Sequence, residues 1–182
     1  MAGVQLARRS ISKADAERQF DLLFDEYLKD GNSDSGFDGE TQREAGSAGE
    51  EADEVYIPGE QNERREQQKT IREVAHVLQS LGDQYQKRFG AGLTKSGFIL
   101  TALFKDQASA LEYNTFKNTV ESLTTTERST ADFVFMMCLT RDVVKHVGDF
   151  AGKAKSFFRR FIGQSYIQKI TEAGGVKEYV EE

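Results

Sequence analysis

The feature that most constrains this fold is a short apolar run in the C-terminal half of the chain. Phe133 to Leu139 are seven consecutive apolar residues, far fewer than the about 20 that a membrane-spanning helix needs. Ser129 or Thr130 before the run is a suitable N-cap, and Gly148 after it is a suitable stop. A helix that is apolar on every side is buried on every side. The run therefore predicts a central helix surrounded by amphipathic ones.

Amphipathic helices are predicted on both sides of this central helix. One proline and no tryptophan in 182 residues, with many Lys, Glu, Gln, Ala and Leu residues, favour helices over sheets. We therefore expect one all-α domain over residues 1–182, a bundle of about seven to eight helices. The helices are expected at 13–29, at 62–89, from Leu93, at Ser109–Leu123, at 129–147, at 149–163 and at Gln164–Ala173. GAGL is expected to break the chain between the second and third of these helices, and Asp149 is expected to cap the helix at 149–163. Residues 129–163 are expected to form a central hairpin, and residues 174–182 a fraying tail.

Residues 30–61 form a strongly acidic segment inside this domain. Residues 30–60 hold ten acidic residues and one base, Arg43, whereas residues 61–182 hold 18 bases and 15 acidic residues. Apolar residues are few and Gly and Ser are frequent, so the segment cannot bury enough surface to offset its ordering entropy. We expect a long disordered loop. Its removal would turn a chain of net charge −6 into a mildly basic one.

No set of residues in the sequence indicates catalysis or metal binding. His76 and His146 have no second ligand at metal-binding spacing, and Cys138 lies in the apolar run, where a thiolate is disfavoured. GAGLTKS at 90–96 lacks the glycine before its lysine that a phosphate-binding loop needs. We expect a protein that is not an enzyme, uses no cofactor or metal, and binds no nucleic acid. A single cysteine and no apolar leader sequence indicate the cytoplasm.

A helix over residues 70–86 carries a narrow apolar stripe with small and acidic residues beside it. The stripe consists of Ile71, Val74, Leu78, Leu81 and Tyr85. Small Ala75 and Gly82 flank it, and Asp83 follows Gly82. Such spacing is typical of a core helix. A glycine inside a helix, however, costs about 1 kcal/mol against Ala and needs a packing or functional reason. We interpret Gly82 as clearance for a partner helix.

The combination Leu78-x-x-x-Gly82-Asp83, with Ala75 upstream, resembles the BH-three motif of the Bcl-two family of apoptosis regulators. The order of elements is similar too: an amphipathic helix, an acidic loop, the motif helix, two further helices, then a buried central helix paired with another. The similarity covers residues 14–29 loosely and 70–175 more closely. The chain has no tryptophan and so lacks the Asn-Trp-Gly-Arg groove signature of the survival proteins and pore formers. It therefore resembles the branch that carries the BH-three motif without that signature.

The resemblance implies a latent death signal in a Bcl-two-like bundle. Such proteins are cut in the loop by a caspase or granzyme-type protease, and the C-terminal fragment moves to the mitochondrial outer membrane. There the BH-three helix binds Bax- or Bak-like effectors and survival members, with Leu78 as the deepest anchor and Asp83 paired with an arginine of the groove. The candidate cleavage sites are Asp53, which follows Glu50-Glu51-Ala52, Asp38, which precedes Gly39, and the weaker Asp34.

Basic residues of the C-terminal third fit this scheme. The segment Arg141–Lys169 holds seven bases, each worth about 1 kcal/mol near an anionic lipid surface. The bases expected to face lipid after cleavage are Lys145, Lys153, Lys155, Arg159 and Arg160. Two alternatives stay open: a membrane-active helical bundle whose 133–162 hairpin acts directly on lipid, and a helical adaptor whose acidic loop binds a basic protein.

Overall fold

The computed structural model describes residues 10–29, 58–125 and 127–182, which form a bundle of α-helices. Its helices are α1 (Lys13–Lys29), α2 (Pro58–Gln107), α3 (Tyr113–Leu123), α4 (Thr130–His146), α5 (Ala151–Ala173) and α6 (Val176–Glu181). No strand occurs in the described residues, which confirms the all-α class there. The described residues contain six helices, where seven to eight were predicted for the chain, and the longest of the six, α2, joins two helical segments across a kink. The helical start at Pro58 also contradicts a loop that reaches residue 61, and the rest of that loop lies outside the described residues.

The central helix that the apolar run predicts is α4. Every residue from Phe133 to Leu139 is at most 4% exposed except half-buried Phe135, and α2 and α5 pack against this helix. Ser129 is its N-cap: the hydroxyl accepts a hydrogen bond from the backbone N–H of Asp132, whose carboxylate accepts one from the backbone N–H of Ser129. This capping box satisfies two N–H groups that would otherwise lack partners. The predicted burial and N-cap of this helix are confirmed.

The predicted break at GAGL is confirmed as a kink at Phe89, where two helical segments of α2 meet. Phe89 departs from helical geometry (φ −126°, ψ 18°), and the helix then continues to Gln107. Leu93, Leu100 and Phe104 lie on the second half of α2 and are buried in the core. Their burial stabilises the continued helix by more than the helix propensity that Gly90 and its neighbours lose. The predicted motif segment and the helix after it are therefore two helical segments joined by a kink within α2.

The predicted end of a helix near Gly163 is also wrong. The helix α5 runs from Ala151 through this glycine to Ala173, because Ile162, Tyr166 and Ile170 keep burying one side of it. It ends at Gly174, whose φ of 100° lies in the left-handed region that favours glycine.

Residues 174–182 are not a fraying tail. They include α6, whose Val176, Tyr179 and Val180 are buried against the bundle. The prediction failed because the three apolar residues, at i, i+3 and i+4, span less than two turns after Gly174 and Gly175, which is too short for a helical period to be recognised.

Two predicted helix starts also differ from the structure. Asp149 lies in a short 3-10 turn, Gly148–Phe150, and α5 begins without a side-chain cap. Residues 108–110 form another 3-10 turn, so α3 begins at Tyr113 and not at Ser109. The general point is that interior packing is easier to predict than the residues at which helices begin.

Candidate functional site

The BH-three-like segment lies in the first half of α2 and turns its apolar stripe into the core. Ile71 and Val74 are 4% and 3% exposed, Ala75 is 1% exposed, and Leu78 is fully buried. Leu81 and Tyr85, further along, are half-buried and pack on the edge of the core. The stripe is therefore an internal packing surface in the described structure. Its spacing is the one typical of a core helix.

Gly82 lies against two side chains from other helices. A Cβ atom at this position would be 2.7 Å from the Cys138 sulfur of α4 and 3.7 Å from the Tyr27 hydroxyl of α1. Real Cβ atoms do not approach a sulfur so closely, so the fold itself requires a residue without a side chain here. The glycine thus has an internal packing reason, which the sequence analysis did not identify.

Tyr27 and Cys138 form a buried, uncharged pair beneath Gly82. The Tyr27 hydroxyl lies 3.6 Å from the Cys138 sulfur, and the guanidinium of Arg141 lies 5.3 Å from the centre of the Tyr27 ring. Burial raises the pKa of the Tyr27 hydroxyl far above its usual value, Cys138 and Asp83 adding to the effect and Arg141 opposing it. Burial also raises the pKa of the Cys138 thiol. Both groups are therefore neutral near pH 7, which disfavours a nucleophilic thiolate.

Asp83 is exposed, one residue beyond the close contact at Gly82. In the described structure Asp83 is on the solvent side of α2, whereas Leu78 is fully buried. The two residues that the resemblance makes the main groove contacts are therefore in different environments. Asp83 is accessible to a partner in the intact chain, and Leu78 is not.

The five candidate lipid-facing bases differ in how far they are engaged within the fold. Lys145, Lys155 and Arg160 are exposed, although the guanidinium of Arg160 lies over the Tyr113 ring. Lys153 is half-buried and donates hydrogen bonds to the backbone oxygens of residues 108 and 109. Arg159 is half-buried and pairs with Asp25 and, at 3.8 Å, with Asp21.

The last two bases thus hold elements of the bundle together. Lys153 binds carbonyl groups just past the C-terminal end of α2, where a cation is favoured. Arg159 joins α5 to α1. Either side chain reaches lipid only after these contacts break.

The remaining site predictions fall outside the described residues or concern absences. Asp34, Asp38 and Asp53 are not among the described residues, so their cleavage stays a prediction. No group of His, Cys, Asp or Glu residues within 10–29, 58–125 and 127–182 is arranged to hold a metal ion. No helix in the same ranges is long and apolar enough to cross a membrane.

The chain was compared with protein-family models, with curated proteins and with solved structures, and no match was found in any of the three. What can be said of its function therefore depends on its own residues and their arrangement.

A prediction about stability follows from the contact at Gly82. Gly82→Ala is expected to lower the free energy of unfolding by about 1–2 kcal/mol, because overpacking against the Cys138 sulfur outweighs the gain in helix propensity. Gly92→Ala is the matched control: it lies in the same helix, and its Cβ would have no atom within 4 Å. This variant is expected to gain up to about 1 kcal/mol. Urea unfolding measures both.

A second background isolates the sulfur contact. In Cys138→Ala protein the atom that a new Cβ would meet is gone, so Gly82→Ala should become neutral or stabilising there. Equal destabilisation by Gly82→Ala in both backgrounds would show that the Cys138 sulfur is not what excludes a side chain at this position.

Proposed function

We propose that this chain is a pro-apoptotic BH-three protein with a Bcl-two-like fold, latent until its acidic segment is cleaved. The cleaved C-terminal part then moves from the cytoplasm to the mitochondrial outer membrane. There its BH-three helix, residues 70–86, binds the grooves of Bax- or Bak-type effectors and of survival members of the family. The caspase or granzyme-type protease would cut after Asp53, Asp38 or Asp34.

The burial of the motif is the observation that carries this proposal. Leu78 is fully buried and Ile71 and Val74 are nearly so, whereas Asp83 on the same helix is exposed. A helix cannot place one apolar stripe in its own core and in a partner's groove at the same time. If the motif is a ligand, the intact chain must therefore be inactive, and activation must release the motif from α4 and α1.

The residues of the stripe suit a groove as well as they suit the core. Ile71, Val74, Leu78 and Leu81 recur at i, i+3, i+7 and i+10 on one helix, which is the spacing of anchors in helix-in-groove recognition. Gly82, which now admits the Cys138 sulfur, would equally admit a close backbone or side chain of a groove. Asp83 would form a charge-assisted hydrogen bond worth about 1.5–3 kcal/mol with an arginine at the rim.

A peptide experiment tests the ligand. A fluorescent peptide of residues 68–90 is expected to bind the groove of a Bcl-two survival protein. Leu78→Ala combined with Asp83→Ala should weaken binding by at least about a hundredfold, since one deep anchor and one charged pair are lost together. Fluorescence anisotropy measures the dissociation constants.

The control peptide changes two exposed polar residues outside the stripe, Glu73→Ala and Gln84→Ala. It should bind within about threefold of the original. Unchanged binding by the Leu78 and Asp83 double variant would refute the motif assignment. The intact protein should bind the groove far more weakly than the peptide does. Digestion with a caspase or granzyme should restore binding. Weaker binding after digestion would instead favour the adaptor with an acidic binding loop.

A further inference from the structure

A cleft of about 930 Å³ opens between α1, α2, α4 and the start of α5, outside the BH-three-like stripe. Its apolar lining is contributed by Leu22 and Leu28 of α1, Val144 of α4 and Ala151 of α5, all half-buried. Seven of its thirteen lining residues are charged, so the cleft suits a ligand that is itself charged and also carries apolar groups. The described residues form this cleft without any rearrangement.

The acidic residues of this cleft are already paired. Glu26 lies 3.6 Å from Arg72 and 3.3 Å from Lys29. Asp25 pairs with Arg159, which lies outside the cleft. These contacts neutralise the acidic side chains of the lining, so they do not repel an anionic ligand.

The basic residues on the opposite wall are not paired in this way. Arg141, Lys145 and Lys155 line the cleft and form no ion pair with any acidic residue of the described ranges. Arg141 is held in place by its contact with the Tyr27 ring. The cleft therefore combines four apolar lining residues with three bases that have no acidic partner among the described residues.

We propose that this cleft binds an acidic peptide segment of a partner protein, one that carries apolar side chains among its carboxylates. Carboxylates would pair with the three bases, and the apolar side chains would cover Leu22, Leu28 and Val144. The half-buried apolar residues between the helices favour a chain segment over a bilayer, because a flat lipid surface covers exposed lysines more easily than it reaches side chains between helices. This surface is distinct from the BH-three-like stripe and does not depend on the proposed function.

The test uses the intact chain and a short fluorescein-labelled peptide of alternating Glu and Leu. We expect saturable binding by fluorescence anisotropy, weakened by added salt as exposed charges are screened. Lys145→Glu combined with Lys155→Glu should weaken binding by about tenfold or more, because two attractions become repulsions. Both lysines are exposed, so these changes leave the core intact.

The matched control is Lys95→Glu combined with Lys105→Glu, which makes the same change of net charge on exposed residues of α2 away from the cleft. Its binding should stay within about twofold. Equal weakening by both pairs would reduce the effect to net charge and overturn the proposal, as would a Gln/Leu peptide that binds as well as the Glu/Leu peptide.

Two further arms separate other occupants. A gain of more than about tenfold on replacing residues 30–57 with a neutral linker would identify the chain's own acidic segment as the occupant and overturn the assignment to a partner. The surface would be a lipid site if the original protein bound phosphatidylglycerol vesicles but not the peptide, and if the Lys145→Glu and Lys155→Glu double variant lost the vesicle binding. Binding of the 68–90 peptide to a survival protein is independent of all these results.

Discussion

Leu78→Ala in the intact chain is expected to lower the free energy of unfolding by about 2–5 kcal/mol, because it removes a fully buried Leu from a packed core and leaves a cavity. A typical domain has only about 5–15 kcal/mol of stability in total, so this one change removes a large share of it. The neighbouring Val77→Ala is the control, since Val77 is 40% exposed on the outer side of the same helix. Its effect should stay within about 0.5–1 kcal/mol. Urea unfolding followed by circular dichroism measures both.

This prediction also separates packing from recognition. Under the proposed function, Leu78→Ala loosens the motif helix and at the same time removes its deepest anchor. The variant should therefore be digested faster by a nonspecific protease without gaining affinity for a Bcl-two groove. Leu78→Met, which keeps the volume, should cost less than about 1.5 kcal/mol. Similar unfolding energies for Leu78→Ala and Val77→Ala would contradict the buried position of the stripe.

The sequence predicted those parts of the fold that depend on local pattern. The limits of α1 at residues 13 and 29 agree with the prediction, and α4 was identified from its continuous apolar run and its N-cap at Ser129. Both signals are local: periodicity, a capping residue and a stop. The kink at Phe89 agrees with the break predicted at GAGL. An error occurs where Gly163 was taken as a helix end, because burial of residues on both sides of this glycine outweighs the propensity that it loses.

The environment of the candidate site was less predictable than the helix that carries it. The stripe was identified correctly as apolar, but the residue that meets Gly82 lies in another helix. Cys138 is separated from its neighbour Tyr27 by 111 positions in the chain. No local spacing indicates such a contact, since it depends on how α1, α2 and α4 pack. For the same reason, a glycine that suggested an external partner from sequence also has a sufficient explanation inside the fold.

Alkaline pH is expected to destabilise the protein through its buried tyrosines. Burial raises the pKa of Tyr166 from the usual 10.0 to about 12. Burial also raises the pKa of Tyr179 to about 12, and the neighbouring Tyr166 adds to this rise. Burial raises the pKa of Tyr27 as well. Above about pH 10 the unfolded chain releases these protons and the folded chain keeps them, so the folded state binds more protons and loses stability as pH rises.

The stabilisation by these groups is thus complete below about pH 10 and is lost progressively up to about pH 12 and beyond. Each pH unit in this window costs about 1.4 kcal/mol for a fully buried group. The three together should cost about 2–4 kcal/mol by about pH 11. Urea midpoints measured from neutral to alkaline pH, with tyrosinate absorbance on the same samples, give the loss and the ionisation together.

Tyr166→Phe assigns this loss to a particular residue. The Tyr166 hydroxyl is buried close to the guanidinium of Arg128, so its removal should cost about 1–2 kcal/mol at neutral pH. The variant should then lose less stability than the original protein between about pH 10 and 12. Tyr27→Phe should have the same effect on the slope while keeping the ring that supports Arg141. If both variants lose stability as steeply as the original protein, the buried tyrosines are not the cause of the alkaline unfolding.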